Sequence, residues 1–263
     1  MRGYQQAMRA LILAAGRGKR LTNHHNQPKC LLEFDGRSLL ERHLLILSQL
    51  GVQNVAIATG YQAEQVEQAL DRLAFLPRPQ TVYNADFNAG SIVSLWSLRD
   101  QLRAGGEVLL MDADVLYDYR LGQRLLQSPH RNCFLLDRDF EPGEEPVKLC
   151  LREGLLVEFR KQIPAGLHYD TIGESVGFFR FSEAMASRLA DRCQNYIDQS
   201  RQEAPHEEAL RDLLLATPER FGIEDITGLP WIEIDFPGDI QQAKNLILPQ
   251  LRFLDSPVPR AKI

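Results

Sequence analysis

Three short stretches of this chain hold residue types that can handle phosphate and a divalent metal. The first is Leu13-Ala14-Ala15-Gly16-Arg17-Gly18-Lys19-Arg20, followed after a polar gap by Pro28-Lys29. Glycines after an apolar run let backbone N–H groups approach an anion closely. A GxG alone fits a plain strand–helix turn with solvated basic side chains. Arg17, Lys19, Arg20 and Lys29 gathered around it favour a phosphate site instead. The second stretch is Asp112-Ala113-Asp114, at the end of the apolar run 107–111. Two carboxylates at i and i+2, where a strand gives way to a loop, can reach one hard cation, and Mg²⁺ is usually held by one or two carboxylates plus substrate phosphates. A turn or helix-cap aspartate is the competing reading. The third stretch is Glu233-Ile234-Asp235-Phe236-Pro237-Gly238-Asp239, again an apolar strand ending in acid. An aspartate there could complete a metal site with Asp114, or Asp235 or Asp239 could cap the last helix.

Two other phosphate motifs fail. The P-loop's Gly-Lys-Ser/Thr is absent. The dinucleotide fingerprint needs a third glycine where Leu21 stands and an acid where Thr59-Gly60 stands. Charge narrows the partners. With 30 Lys plus Arg against 35 Asp plus Glu, the net charge of −5 disfavours nucleic acid, and an anionic ligand needs a local cation cluster. Cys30, Cys133, Cys150 and Cys193 are far apart and form no CxxC pair, so neither zinc nor a disulfide framework is expected. Reduced thiols fit a cytoplasmic protein. No apolar run reaches membrane-span length, so no membrane insertion is expected, and residues 1–7 lack the apolar run of a signal peptide.

The elements that must position these stretches follow from apolar periodicity. Residues 10–15, 52–59, 81–82 and 107–111 read as strands. Residues 38–50, 63–76 and 90–102 read as the helices between them. Strand–helix alternation implies a parallel sheet with right-handed crossovers. After residue 132 the texture changes: short strands at 132–136, 147–152, 155–160 and 174–181, then helices at 182–199 and 205–216. Residues 231–235 form a late strand, and Pro237 suits the first turn of a last helix. The expected organisation is one α/β domain over 8–250 with a C-terminal tail at 251–263.

The segment 11–32 resembles the signature of nucleotidyltransferases that activate sugar phosphates and phospho-alcohols, AAGxGxR followed by PK. Within them the chain is most similar to the phosphocholine cytidylyltransferase branch, through Tyr83-Asn84 with the stretch 91–96, Asp112-Ala113-Asp114, and Glu233-Ile234-Asp235 with Asp239. Lys19 departs from the Ser or Thr usual in that family. The resemblance implies a Rossmann-like three-layer α/β nucleotidyltransferase fold with a mixed central sheet. It also implies Mg²⁺-dependent transfer of CMP from CTP to a phosphorylated small alcohol, phosphocholine-like or an aminoalkyl phosphate or phosphonate. Ala14, Ala15, Gly16, Gly18, Asn84, Ser91 and Asp112 would bind the nucleotide, Arg20, Lys29 and Lys161 would act on phosphates, and Asp114 and Asp235 would hold Mg²⁺. Acid in the second half, with Asp137, Glu174, Glu207, Glu208 and Glu233, would face the acceptor.

Other residues read less sharply. His24 and His25 fit a loop beside the phosphates better than a metal site, and His43 and Trp96 fit the core. Lys161 ends a strand, and the resemblance favours a phosphate contact over a solvated strand end. Competing readings are a sugar- or inositol-1-phosphate nucleotidyltransferase, a glycosyltransferase carrying a DxD motif, and a non-catalytic nucleotide-binding regulator. Glycosyltransferases lack the Arg20…Pro28-Lys29 element, and a regulator would not need both Asp114 and Asp235. Oligomeric state is left open, a homodimer included.

Overall fold

The computed structural model describes residues 8–21 and 27–252, so His24, His25 and residues 253–263 of the tail lie outside it. In chain order the elements are β1 (Arg9–Ala14), β2 (Glu33–Phe34), β3 (Arg37–Ser38), α1 (Leu39–Gln49), β4 (Asn54–Thr59), α2 (Ala63–Leu73) and β5 (Gln80–Tyr83). Then come α3 (Ser91–Ser97), α4 (Arg99–Arg103), β6 (Val108–Asp112), β7 (Val115–Tyr117), α5 (Tyr119–Gln127), β8 (Cys133–Asp137), β9 (Lys148–Arg152) and β10 (Leu155–Arg160). The chain continues through β11 (Thr171–Phe181), α6 (Glu183–Asp198), α7 (His206–Ala216), β12 (Gly222–Asp225), β13 (Trp231–Glu233) and α8 (Pro237–Gln242).

The expected parallel core is present: β1 lies between β4 and β6 and runs parallel to both, with β5 parallel outside β4. The second half makes the sheet mixed, because β11 runs antiparallel to β6, β8 and β9, and β10 pairs antiparallel with β9. Alternation along β1 sorts side chains to two faces. Leu11 joins a cluster with residues of α3, α4, α6 and α7, while Ala10 and Ile12 join one with residues of α1, α2 and α5. This is the three-layer arrangement.

Local chemistry sets several boundaries. Ser38 caps α1 by accepting from the Glu41 N–H at 3.1 Å, and Ser182 caps α6 through Met185 N–H. The single helix expected over 90–102 is two, α3 and α4, with Leu98 between them at φ −88° and ψ 12°. Ile92, Leu95, Leu98 and Leu102 all reach the same cluster. His43 is a core residue between Tyr117 and Phe178, and burial pushes its pKa down to about 4. Among the described residues no helix is long and apolar enough to cross a membrane.

Candidate active site

The loop leaving β1 forms one wall of a cavity of about 320 Å³. Ala14, Ala15, Gly16 and Gly18 line it, together with Lys29, Ser91, Asp112, Asp114, Lys161, Glu207 and Glu233. Gly18 has φ +60°, and a Cβ there would sit 2.8 Å from Cγ of Lys29. Glycine thus clears the path of the lysine stem. Pro28 leads into the 3₁₀ turn Lys29–Leu31 that starts with this lysine.

Lys29 Nζ lies 3.0 Å from Asp114 Oδ2 and 2.5 Å from Asp235 Oδ1. Burial works against its charge, but attraction to Asp114 and Asp235 wins and holds the amine above its ordinary value. The two aspartates lie far apart in sequence and meet because β13 pairs antiparallel with β7, with Glu233 opposite Val115. Ile234 N–H also donates to the Asp114 carbonyl at 2.9 Å, tying the two acidic turns together. Asp239 is the helix cap here. Its Oδ2 accepts from Asp235 N–H at 2.7 Å and Phe236 N–H at 2.6 Å. The Asp235 side chain is left facing Lys29.

Asp114, Asp235 and Glu233 each offer a carboxylate oxygen, all within 4.8 Å of one another. An all-oxygen anionic set of this kind suits a hard divalent cation. The sequence reading placed Glu233 with the acceptor; the structure groups it with Asp114 and Asp235. Removal from water and the charges of Asp114, Asp235 and Asp112 push the Glu233 carboxyl well above its ordinary value. Glu233 is an exposed residue, so solvent weakens both contributions to that rise. Burial, then the charges of Asp114 and Glu207, likewise raise Asp112.

Arg20 donates to Asp235 Oδ2 at 3.1 Å and to both Glu145 oxygens, at 2.9 and 3.0 Å. Lys161 Nζ reaches Glu145 Oε2 at 3.0 Å. Glu145 therefore bridges two of the expected phosphate-binding cations. These pairs are half-exposed and contribute little to stability, so both cations can turn to a ligand.

A second cavity of about 550 Å³ adjoins the first through Lys161, Pro205 and Glu207. Arg160, Glu208 and the apolar Val147 and Ile163 complete its walls. Arg160 Nη2 binds both Glu208 oxygens, at 2.8 and 3.0 Å, and neutralises that carboxylate. Glu207 Oε2 is buried and lies 3.1 Å from His206 Nδ1.

Three expected site residues point elsewhere. Asn84 is buried, donates to Ser94 Oγ at 3.1 Å, accepts from Asp86 N–H at 2.9 Å and does not line the first cavity; it shapes the loop before α3. Asp137 is 6 % exposed and accepts from Trp231 Nε1 at 2.7 Å. Glu174 sits opposite Asp137 in the β8–β11 register, and neither residue lines either cavity. Strand register decides where these side chains stand, and the acidity of the segment does not reveal that. The sequence reading also missed Glu145, Arg160 and His206. Glu145 lies in a polar loop, Arg160 adjoins the recognised Lys161, and His206 directly precedes the recognised Glu207, but no motif marks any of the three.

Comparison with known proteins agrees with this geometry. The family described as "MobA-like NTP transferase domain" matches residues 10–168. The chain is similar to the CMP-5'-(3-aminopropyl)phosphonate synthase of Streptomyces rubellomurinus, 27 % identical over 258 residues, covering 95 % of this chain and 41 % of that one. It is also similar to the CTP:phosphoglutamine cytidylyltransferase of Campylobacter jejuni, 23 % identical over 256 residues, covering 89 % of this chain and 98 % of that one. The chain thus spans under half of the first relative and nearly all of the second. Among solved structures, the inositol-1-phosphate CTP transferase from T. maritima shares the fold, with a TM-score of 0.69 at 21 % identity, covering 95 % of this chain and all of that one.

Proposed function

The chain belongs to the MobA-like NTP transferase family, and from that premise we propose that it transfers CMP from CTP to a phosphorylated or phosphonylated amino-alcohol and releases pyrophosphate. The observation that carries this reading is the second cavity, whose walls bear Arg160 and Lys161 beside Glu207 and Glu208. Such a lining fits a zwitterion: a phosphate or phosphonate toward the cations and an ammonium toward a carboxylate. The similarity to an aminopropylphosphonate synthase and a phosphoglutamine cytidylyltransferase supports the same acceptor class.

The reaction is in-line attack of an acceptor oxygen on the α-phosphorus with loss of pyrophosphate. A phosphate monoester has its second pKa near 6, so it is largely dianionic at neutral pH and needs no strong general base. The work left to the protein is alignment and charge neutralisation. Backbone groups of residues 14–18 cradle the triphosphate, with Lys29 and Arg20 against its charge. Lys161, on the wall between the cavities, meets the acceptor phosphate, and Glu207 meets the ammonium. Asp114 and Asp235, with Glu233 beside them, would hold Mg²⁺, which supplies further charge neutralisation at the phosphates. In this reading residues 8–250 form one catalytic domain acting in the cytoplasm.

The test is a matrix of four nucleoside triphosphates against phosphocholine, phosphoethanolamine, 2-aminoethylphosphonate, glucose-1-phosphate and inositol-1-phosphate, scored by pyrophosphate release with and without Mg²⁺. CTP with a cationic acceptor is the expected best pair, and EDTA abolishes it. A preference for a neutral sugar or inositol phosphate overturns the acceptor assignment.

A further inference from the structure

His206 carries a polar group with no partner into the first cavity. It opens α7, is only 4 % exposed, and its Nε2 is buried without a hydrogen-bond partner. The rest of the residue is held. Its backbone N–H donates to Ser91 Oγ at 2.8 Å, and its Nδ1 lies 3.1 Å from the same oxygen. The segment before it is clamped to the start of α3: Gly90 N–H donates to the Gln202 carbonyl at 2.8 Å and Ile92 N–H to the Ala204 carbonyl at 3.2 Å. A Cβ at position 90 would collide with the backbone of Glu203 and Ala204, so this close approach requires glycine. The imidazole is therefore pre-positioned at the cavity wall, which lowers the ordering cost of any contact it makes.

Nδ1 also lies 3.1 Å from Glu207 Oε2, so this nitrogen has both the Ser91 hydroxyl and a carboxylate oxygen as neighbours. Nε2 faces Asp112 Oδ1, 3.7 Å away. At that separation the ring and the carboxyl do not hydrogen-bond directly. One ligand atom can meet both. A hydroxyl both donates and accepts, so it can meet the pair whichever ring nitrogen carries hydrogen.

We propose that His206, together with Asp112, reads a ribose hydroxyl of the nucleoside triphosphate and selects ribonucleotides over deoxyribonucleotides. This rests on the nucleotidyl-transfer reading above. His206 lines only the first cavity, on the side of the β1 loop and Ser91, whereas the adjacent Glu207 also opens onto the second. The aminoalkyl phosphates expected in the second cavity carry no hydroxyl of their own, so the ribose supplies it.

The test compares wild type, His206→Gln and His206→Leu, with unchanged melting temperature as the check on fold. Binding of CTP, 2'-deoxy-CTP and 3'-deoxy-CTP is measured by calorimetry without acceptor, and kcat/KM by pyrophosphate release. Wild type is expected to bind CTP about tenfold tighter than at least one deoxy analogue, the scale of one buried hydrogen bond. His206→Leu closes that gap by weakening CTP alone. His206→Gln, which keeps an amide donor and acceptor at similar reach, preserves most of it. Equal weakening of CTP and both analogues shows a merely structural role and overturns the proposal. Absence of discrimination in wild type overturns it without any variant. If another triphosphate replaces CTP in turnover, the base assignment fails, and the same series on that nucleotide still decides His206.

Discussion

Replacing Glu174 with glutamine tests the electrostatics of the sheet directly. Glu174 faces Asp137 across the β8–β11 register. Burial, then the charge of Asp137, lifts its pKa from 4.5 to about 7, against the opposing pull of Lys148 and Lys161. The folded state therefore holds this proton more tightly than the unfolded chain. By linkage, the native state is unpenalised below about pH 4.5, loses stability as pH rises toward 7, and carries the full penalty above that. Each pH unit of that gap is worth about 1.4 kcal/mol, so the whole corresponds to about 3 kcal/mol. Glu174 is partly accessible. Solvent relaxation reduces the penalty, and about 2 kcal/mol is expected. The assay is urea unfolding of wild type and Glu174→Gln at steps from pH 4.5 to 8. Taking the difference cancels the titrating groups that do not interact with Glu174. The variant should gain about 2 kcal/mol relative to wild type across that range. Its acceptor KM should not change, because Glu174 lines neither cavity. A difference that stays flat with pH, or one that favours wild type at pH 8, refutes the reasoning.

Further outcomes follow from the site. Asp114→Ala should melt normally and lose at least ~100-fold in turnover, the scale of removing a charge-stabilising group; near-normal pyrophosphate release would remove Asp114 from the site. Lys29→Met leaves the Asp114 and Asp235 carboxylates without their shared cation and should weaken CTP binding about tenfold or more, so unchanged binding and turnover would make the cation cluster mere surface. Glu207→Gln should raise the acceptor KM more than Glu208→Gln, since Arg160 already neutralises Glu208, and Glu208→Gln should leave the KM for CTP unchanged; equal effects on the acceptor KM would count against the cationic acceptor. All four cysteines are buried, and burial pushes the Cys30 thiol up to about 12, so a thiol-reactive disulfide reagent should leave the native protein unmodified and titrate four thiols in denaturant.

Features encoded by contiguous residues were legible before the structure. The apolar run of β1, the glycine–cation loop behind it and Pro28-Lys29 are local, and each carries its own geometric signal. The same holds for Asp112-Ala113-Asp114 at a strand end. Tertiary structure decided what depends on partners distant in sequence. The β13–β7 pairing brings Glu233 and Asp235 to Asp114, and it makes Glu233 part of the carboxylate cluster. The antiparallel entry of β11 beside β6 makes the sheet mixed, as the family resemblance implied and the strand–helix alternation of the first half did not show. Register in that half aims Asp137 at Trp231 and stations Glu174 beside Asp137, away from both cavities. Arg160 silences one of two adjacent glutamates, and Ser91 orients the His206 ring. In each case residue type was already visible. Side-chain direction and charge partner were not, because a strand shifted by one residue presents the opposite face, and the neighbour that neutralises a charge can come from anywhere in the chain.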